Sequence, residues 1–186
     1  MIRGLYKFAE RWSEFGSVYI VSDTHFDDPD RELMGYTIST EQHADVIKRT
    51  VHKPDTLIHL GDVGNPEYFR AIRGYKVLIM GNHDESASRF KPYFDEIYEG
   101  PVIIGRKLIL SHEPVDVPWA FNIHGHNHNA ESMFSPYHLN VAANVASYDP
   151  VNLGKLIKDG WLATVEDIHR ITIDNAINKK YGGKMI

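Results

Sequence analysis

The sequence predicts an α/β sandwich, in which two packed mixed β-sheets are flanked by helices. Three observations predict it. In the first half of the 186-residue chain, short β-branched runs alternate with stretches of helical spacing, the pattern of strand-helix-strand units. In the second half, apolar runs follow one another with only turns between them. Many of these runs end in short loops rich in Gly, Asp, Asn and His, which suits strands whose ends gather at one edge of a sheet. The length, with 42% apolar and 24% charged residues, fits a single globular domain over 1–186.

The N-terminal arm, 1–16, carries Leu5, Phe8, Trp12 and Phe15 at helical spacing. It predicts an amphipathic helix, and its apolar stripe would suit a homo-oligomer. Ser17–Ser22 reads as a buried strand ending at Asp23-Thr24-His25. Ala44, Ile47 and Val51 predict a helix over Glu41–His52. Thr56–Leu60 is a second strand, ending at Gly61-Asp62. Pro66–Ile72 predicts a short helix with Asn65 as its N-cap. Lys76–Met80 is a third strand, followed by Gly81-Asn82-His83-Asp84 and a short helix over Ser86–Phe94. Val102–Ser111 predicts a hairpin turning at Gly105-Arg106-Lys107. Phe121–His124 and His138–Ala142 are further strands. The C-terminal extension, 164–186, predicts a helix over Glu166–Lys180, although Ile171-Thr172-Ile173 leaves a strand open.

Composition narrows the classes of function. No uncharged run is long enough to span a bilayer. Arg3, Lys7, Glu10, Arg11 and Glu14 break up the start, which lacks the apolar core of a signal peptide. The chain has no Cys, hence no disulfide and no thiolate metal site. These features together lead us to expect a cytoplasmic protein. A formal charge of −5 speaks against a dedicated nucleic-acid binder. It leaves a nuclease open, because bound divalent cations would add positive charge.

The eleven His are spread along the chain, and their positions carry the chemistry. Five short motifs stand at or just beyond predicted strand ends: Asp23-x-His25, Gly61-Asp62, Gly81-Asn82-His83-Asp84, Ser111-His112 and Gly125-His126-Asn127-His128. Oxygen and imidazole donors without thiolates suit Mn, Zn, Fe or Ni. Glycines beside the ligands let the backbone turn sharply.

Taken in this order, between Val18 and Val145, the motifs resemble the calcineurin-like metallophosphoesterases. The resemblance implies that family's fold and a pair of divalent cations, with Mn as the first choice. Asp23, His25 and His128 would hold one cation, Asn82, His112 and His126 the other, and Asp62 would bridge them. It implies hydrolysis of a phosphate ester by a hydroxide between the two metals. His83 would be the general acid, and Asp84 would orient it or raise its pKa. Only eleven residues separate His112 from His124. That brevity is similar to the small bacterial and phage-type members and implies an open site and a phosphodiesterase, with a nucleotide among the possible substrates. The alternatives are a phosphomonoesterase of small metabolites and a catalytically silent scaffold.

The remaining candidates have plainer readings. His124 and His59 read as core residues or supports for ligands, and His43, His52, His138 and His169 as surface or packing residues. Arg31 reads as a solvated surface pair more readily than as a phosphate contact. Trp119 and Phe121 read as core rather than a stacking wall. Asn144 and Tyr148 lie beyond the last motif, and the sequence gives them no role.

Overall fold

The computed structural model describes residues 16–104, 107–117, 119–130, 133–163, 165 and 175–180. Its strands are β1 (Val18–Val21), β2 (Thr56–His59), β3 (Tyr75–Ile79), β4 (Glu96–Tyr98) and β5 (Val102–Ile104), then β6 (Leu108–Leu110), β7 (Phe121–His124), β8 (Phe134–Ser135), β9 (His138–Asn140) and β10 (Val151–Asn152). The helices are α1 (Thr40–Thr50), α2 (Ala87–Phe90) and α3 (Leu153–Lys158), with a 3-10 turn at Pro66–Arg70. Two five-stranded sheets result, ordered β10-β1-β2-β3-β4 and β5-β6-β7-β9-β8. Both are mixed. β1 to β4 run parallel with β10 antiparallel, and β6, β7 and β9 run parallel with antiparallel β5 and β8 at the edges. The expected α/β sandwich is the observed fold.

Strand periodicity explains the layering. Val18 and Ile20, Ile58 and Leu60, and Val77 and Ile79 point inward from the first sheet. They meet Leu108, Leu110, Phe121, Ile123 and Leu139 from the second. The alternate residues Val21, Leu57 and Leu78 face outward and pack beneath Ile47 and Val51 of the α1 region, Phe69, Phe90 and Phe94. Each fully buried aliphatic or aromatic side chain stabilises the fold by roughly 1.5–3 kcal/mol relative to exposure. The parallel register pairs Val21 with His59 and His59 with Leu78, so the loops after β1, β2 and β3 emerge side by side. A bridge between Ser22 and Ala142 links the end of β1 to the chain just beyond β9.

Several elements differ from expectation for local reasons. α1 begins at Thr40, because Ser39 and Gln42 form a capping box. Asn65 caps as expected, but the segment it starts is a 3-10 turn. The helix expected over Ser86–Phe94 is a single turn. Ser86 makes no side-chain cap, and Lys91 precedes Pro92, which disfavours continued helix. β4, β8, β10 and α3 are not expected from the sequence; the strands are two or three residues long and defined by their partners. The N-terminal arm, the hairpin turn at 105–106, His169 and Ile171-Thr172-Ile173 lie outside the described residues. Residues 175–180 are helical, and the rest of the helix expected over Glu166–Lys180 lies outside the described residues. Among the described residues, no helix is long and apolar enough to cross a membrane.

Candidate metal centre

All five motifs follow the C-terminal ends of parallel strands, and the structure brings them together. Asp23 and His25 follow β1, Asp62 follows β2, and Asn82 to Asp84 follow β3. His112 follows β6, and His126 and His128 follow β7. Asp23, His25, Asp62 and His126 have φ of 53°, 40°, 57° and 66°, backbone conformations that favour glycine. Hydrogen bonds between loops hold them there. Asp23 N–H donates to the Gly61 carbonyl at 2.9 Å and His25 N–H to that of Asp62 at 3.0 Å. His126 N–H reaches Asp23 Oδ1 at 3.1 Å and Oδ2 at 3.0 Å. Gly125 N–H donates to the His112 carbonyl at 2.9 Å, which ties the second sheet's loops to each other.

The donor atoms form two groups, Asp23, His25 and His128, and Asp62, His112 and His126; within each they lie within 4.8 Å of one another. Asn82 Oδ1 joins the second group, 2.8 Å from His112 Nε2 and 3.1 Å from His126 Nδ1. One oxygen of Asp62, Oδ2, faces both groups, 3.6 Å from His25 Nε2 and 3.2 Å from His112 Nε2. Its other oxygen accepts from His83 N–H at 2.9 Å. A single carboxylate oxygen of Asp62 therefore lies between the two donor groups.

These residues suit cations. His112 Nδ1 faces the Leu60 carbonyl at 2.9 Å, so it carries the proton and leaves Nε2 as an acceptor. Nε2 then turns its lone pair toward Asp62 and Asn82 oxygens and the His126 ring, a cluster of acceptors that only a proton or a metal relieves. Burial opposes charge on both Asp62 and His112. Their mutual contact outweighs it, holding Asp62 down to about 2 and pushing His112 up to about 9. A metal would displace that proton. In the other group, His25 Nδ1 lies 2.9 Å from Asp28 Oδ2, and His25 Nε2 is buried with no hydrogen-bond partner among the described residues. A buried polar atom without a partner costs about 1–3 kcal/mol, and ligation would remove that cost.

Other candidates settle differently. Asp84 does not meet the His83 ring. Its Oδ2 accepts from Gly81 and Asp62 N–H, both at 2.9 Å, and Oδ1 from Val63 N–H at 3.0 Å. Burial pushes its carboxyl up against those bonds. The expected orienting partner of His83 is thus a strut between the β2 and β3 loops. The His83 ring is exposed, 5.6 Å from the His25 ring, and has no hydrogen-bond partner among the described residues. Arg31 is neither a surface pair nor a phosphate contact. It is buried, stacks over Tyr36 at 4.2 Å, and donates to the carbonyls of Thr24, His25 and Ile38. Phe121 is core, as expected.

His59 is buried under Phe69 and Phe94 and supports two ligand loops. Gly61 N–H donates to its Nδ1 at 3.1 Å, and its Nε2 lies 2.9 Å from Thr24 Oγ1, which donates to the Val63 carbonyl. His124 is buried beside His138, which contacts Asp116 at 2.7 Å. His43 is buried between Phe26 and Tyr148. Sequence reasoning missed the support that Asp28 gives His25; its one signal was an acidic residue three positions after the ligand.

A sandwich whose strand ends gather two clusters of carboxylate and imidazole donors belongs to the class of α/β proteins equipped to hold divalent cations. The chain belongs to the calcineurin-like phosphoesterase superfamily, whose domain model matches residues 17–147. Membership implies a metal-dependent hydrolase of phosphate esters. No curated protein matches the sequence. Among solved structures, a protein of unknown function from Aquifex aeolicus is 27% identical, with a TM-score of 0.64; the match covers 76% of this chain and 98% of that one. A Pseudomonas putida nuclease is 23% identical, with a TM-score of 0.44, over 59% of this chain and 60% of that one.

Proposed function

We propose that this chain is a two-metal phosphodiesterase. In this reading Asp23, His25 and His128 hold one divalent cation, Asn82, His112 and His126 hold a second, and Asp62 Oδ2 faces both. The observation that carries the reading is the convergence of acceptor atoms on Asp62 Oδ2, together with the buried, partnerless His25 Nε2. Two bound cations would supply an acidified water and positive charge for the phosphoryl oxygens. Mn²⁺ is our first choice among cations that suit mixed oxygen and imidazole donors.

The chain's own residues orient the reaction. Asp62 Oδ1 fixes the His83 backbone, which leaves the exposed ring free to turn toward a leaving oxygen. An imidazole placed there can hand a proton to that oxygen as the ester bond breaks. Diesters are favoured over monoesters by charge. A monoester is close to a dianion at neutral pH, and a free Arg or Lys is the usual complement. Arg31 is committed to backbone carbonyls. A cavity of about 280 Å³ beside Asn82 and His112 is lined by Glu99, Gly100, Pro101, Glu113, Pro114 and Val115, with no Lys or Arg in its wall among the described residues. It offers room for an organic substituent of a diester. A larger cavity of about 520 Å³ lies between α1 and the 3-10 turn and contains none of the ligands.

The test compares bis-p-nitrophenyl phosphate with p-nitrophenyl phosphate on Mn²⁺-loaded protein, beside a chelated sample, Asp62→Asn and His83→Ala. Diester preference, abolished by chelation and in Asp62→Asn, is the expected result. His83→Ala should keep both metals and lose about 10²–10⁴-fold in rate. Monoester preference would turn the reading to a phosphatase. No turnover with Mn²⁺, Zn²⁺, Ni²⁺ or Fe²⁺ would leave a scaffold of the same fold.

A further inference from the structure

Asn144 lies in the turn after β9, outside the five motifs, and its side chain is engaged at both ends. Nδ2 donates to the His128 carbonyl at 2.9 Å and to the Met34 carbonyl at 3.1 Å. Carbonyls only accept, so this end of the side chain is the amide nitrogen. The other end is then the oxygen, and it lies 3.0 Å from His128 Nδ1. The ring must donate there, which puts the proton on Nδ1 and leaves the lone pair on Nε2. That atom faces Asp23 Oδ1 at 3.5 Å.

We propose that Asn144 is a positioning residue for the Asp23, His25 and His128 group: its side-chain oxygen fixes the His128 tautomer and the direction of that ring. The proposal rests on the reading of this group as a cation site. Each of the other two imidazoles with a defined outer partner uses a different device. His25 leans on the Asp28 carboxylate, and His112 on the Leu60 carbonyl. His128 is the most exposed of the three, at 16%, and its ring has the most freedom to turn away. Outer partners of this kind orient the ring and raise its basicity. A neutral amide does the first without adding a carboxylate beside Asp23, Asp28 and Asp62, so the site keeps less negative charge toward an anionic substrate.

The experiment uses the full chain with Asn144→Leu and Asn144→Asp. Nitrogen-15 NMR of the imidazoles in the metal-free protein reads the His128 tautomer above its titration range, and calorimetry reads Mn²⁺ binding. In the unsubstituted protein His128 should carry its proton on Nδ1. Asn144→Leu should lose that preference and weaken one of the two Mn²⁺ by about 10–100-fold. The other Mn²⁺ should be unchanged within about threefold. Asn144→Asp keeps the acceptor and should keep both the tautomer and the affinity. A proton on Nε2 in the unsubstituted protein overturns the proposal, and this measurement stands even if the leucine variant fails to fold. Equal losses in the Asp and Leu variants overturn it too, since they would assign the effect to the carbonyl contacts. If the unsubstituted protein binds no Mn²⁺, the metal reading itself falls. If it binds two and Asn144→Leu does the same, only the role of Asn144 falls.

Discussion

A methyl group at Gly125 would overlap Asp23 Oδ2 and Ser22 Oγ. The backbone here runs against the carboxylate itself, and His126 N–H grips both Asp23 oxygens. Four of the seven proposed ligands sit at positive φ, each costing on the order of 1–3 kcal/mol, so the site is held by its neighbours rather than by local preference. Gly125→Ala should therefore act on the ligand before it acts on the fold. Either Asp23 moves or the His126 loop lifts away. We expect Mn²⁺ at the Asp23, His25 and His128 group to weaken tenfold or more, with a stability loss of about 1–3 kcal/mol. Elemental analysis after dialysis, beside urea unfolding, measures both. An alanine variant that retains two metals at unchanged affinity would show that this close approach is incidental. All seven proposed ligands could be named from the sequence because each lies in a short motif at a strand end. Asn144 and Asp28 were not assigned, because what they do depends on atoms that only the fold brings near.

Between elements, the strut formed by Asp84 matters more than any single ligand. Its carboxylate gathers N–H groups from Gly81 after β3 and from Asp62 and Val63 after β2. These two loops carry Asp62 and Asn82, so Asp84 sets the spacing between them. Asp84→Ala would leave three N–H groups without their charged acceptor, and we expect a loss of about 2 kcal/mol or more in denaturant unfolding. An ion pair with His83 would behave otherwise. Its removal would leave stability untouched and move the pH profile of turnover. The two measurements made on one variant separate the roles, and unchanged stability would restore the sequence's reading of Asp84. That reading came with the family resemblance, which places residues by motif and carries no side-chain contacts. Element boundaries failed for a related reason. β1, β2 and β3 announce themselves by buried β-branched runs, whereas β4, β8 and β10 exist through pairing with a neighbour, and two or three residues carry no periodicity.

For the molecule as a whole, two buried imidazoles set a limit toward acid. Burial, reinforced by the charge of Arg31, holds His43 down to about 3. Burial also holds His59 down to about 3, with the charge of His43 adding to it. Geometry agrees for His59, since Gly61 N–H already occupies Nδ1 and a second proton there would face a donor. In the unfolded chain both rings titrate near 6.5. Their contribution to stability is complete above about pH 6.5 and is lost as the pH falls toward 3, because the unfolded state takes up two protons that the folded state refuses. His112 does not offset this, since its folded pKa is raised and below about pH 6 it is protonated in both states. These two rings should contribute about 2.7 kcal/mol per pH unit, two protons at about 1.4 each, between about pH 5.5 and 4.5, above most of the carboxylate range, and His124, also held down by burial, adds in the same direction. Urea unfolding of chelated protein across that window measures it. His43→Leu removes one of these rings and should lower the slope by about 1.4 kcal/mol per pH unit while keeping the packing against Phe26 and Tyr148. A slope that is flat in the unsubstituted protein, or undiminished in His43→Leu, would mean that these imidazoles take up their protons without unfolding. The sandwich would then be more permeable to water beneath α1 and the 3-10 turn than its packing implies.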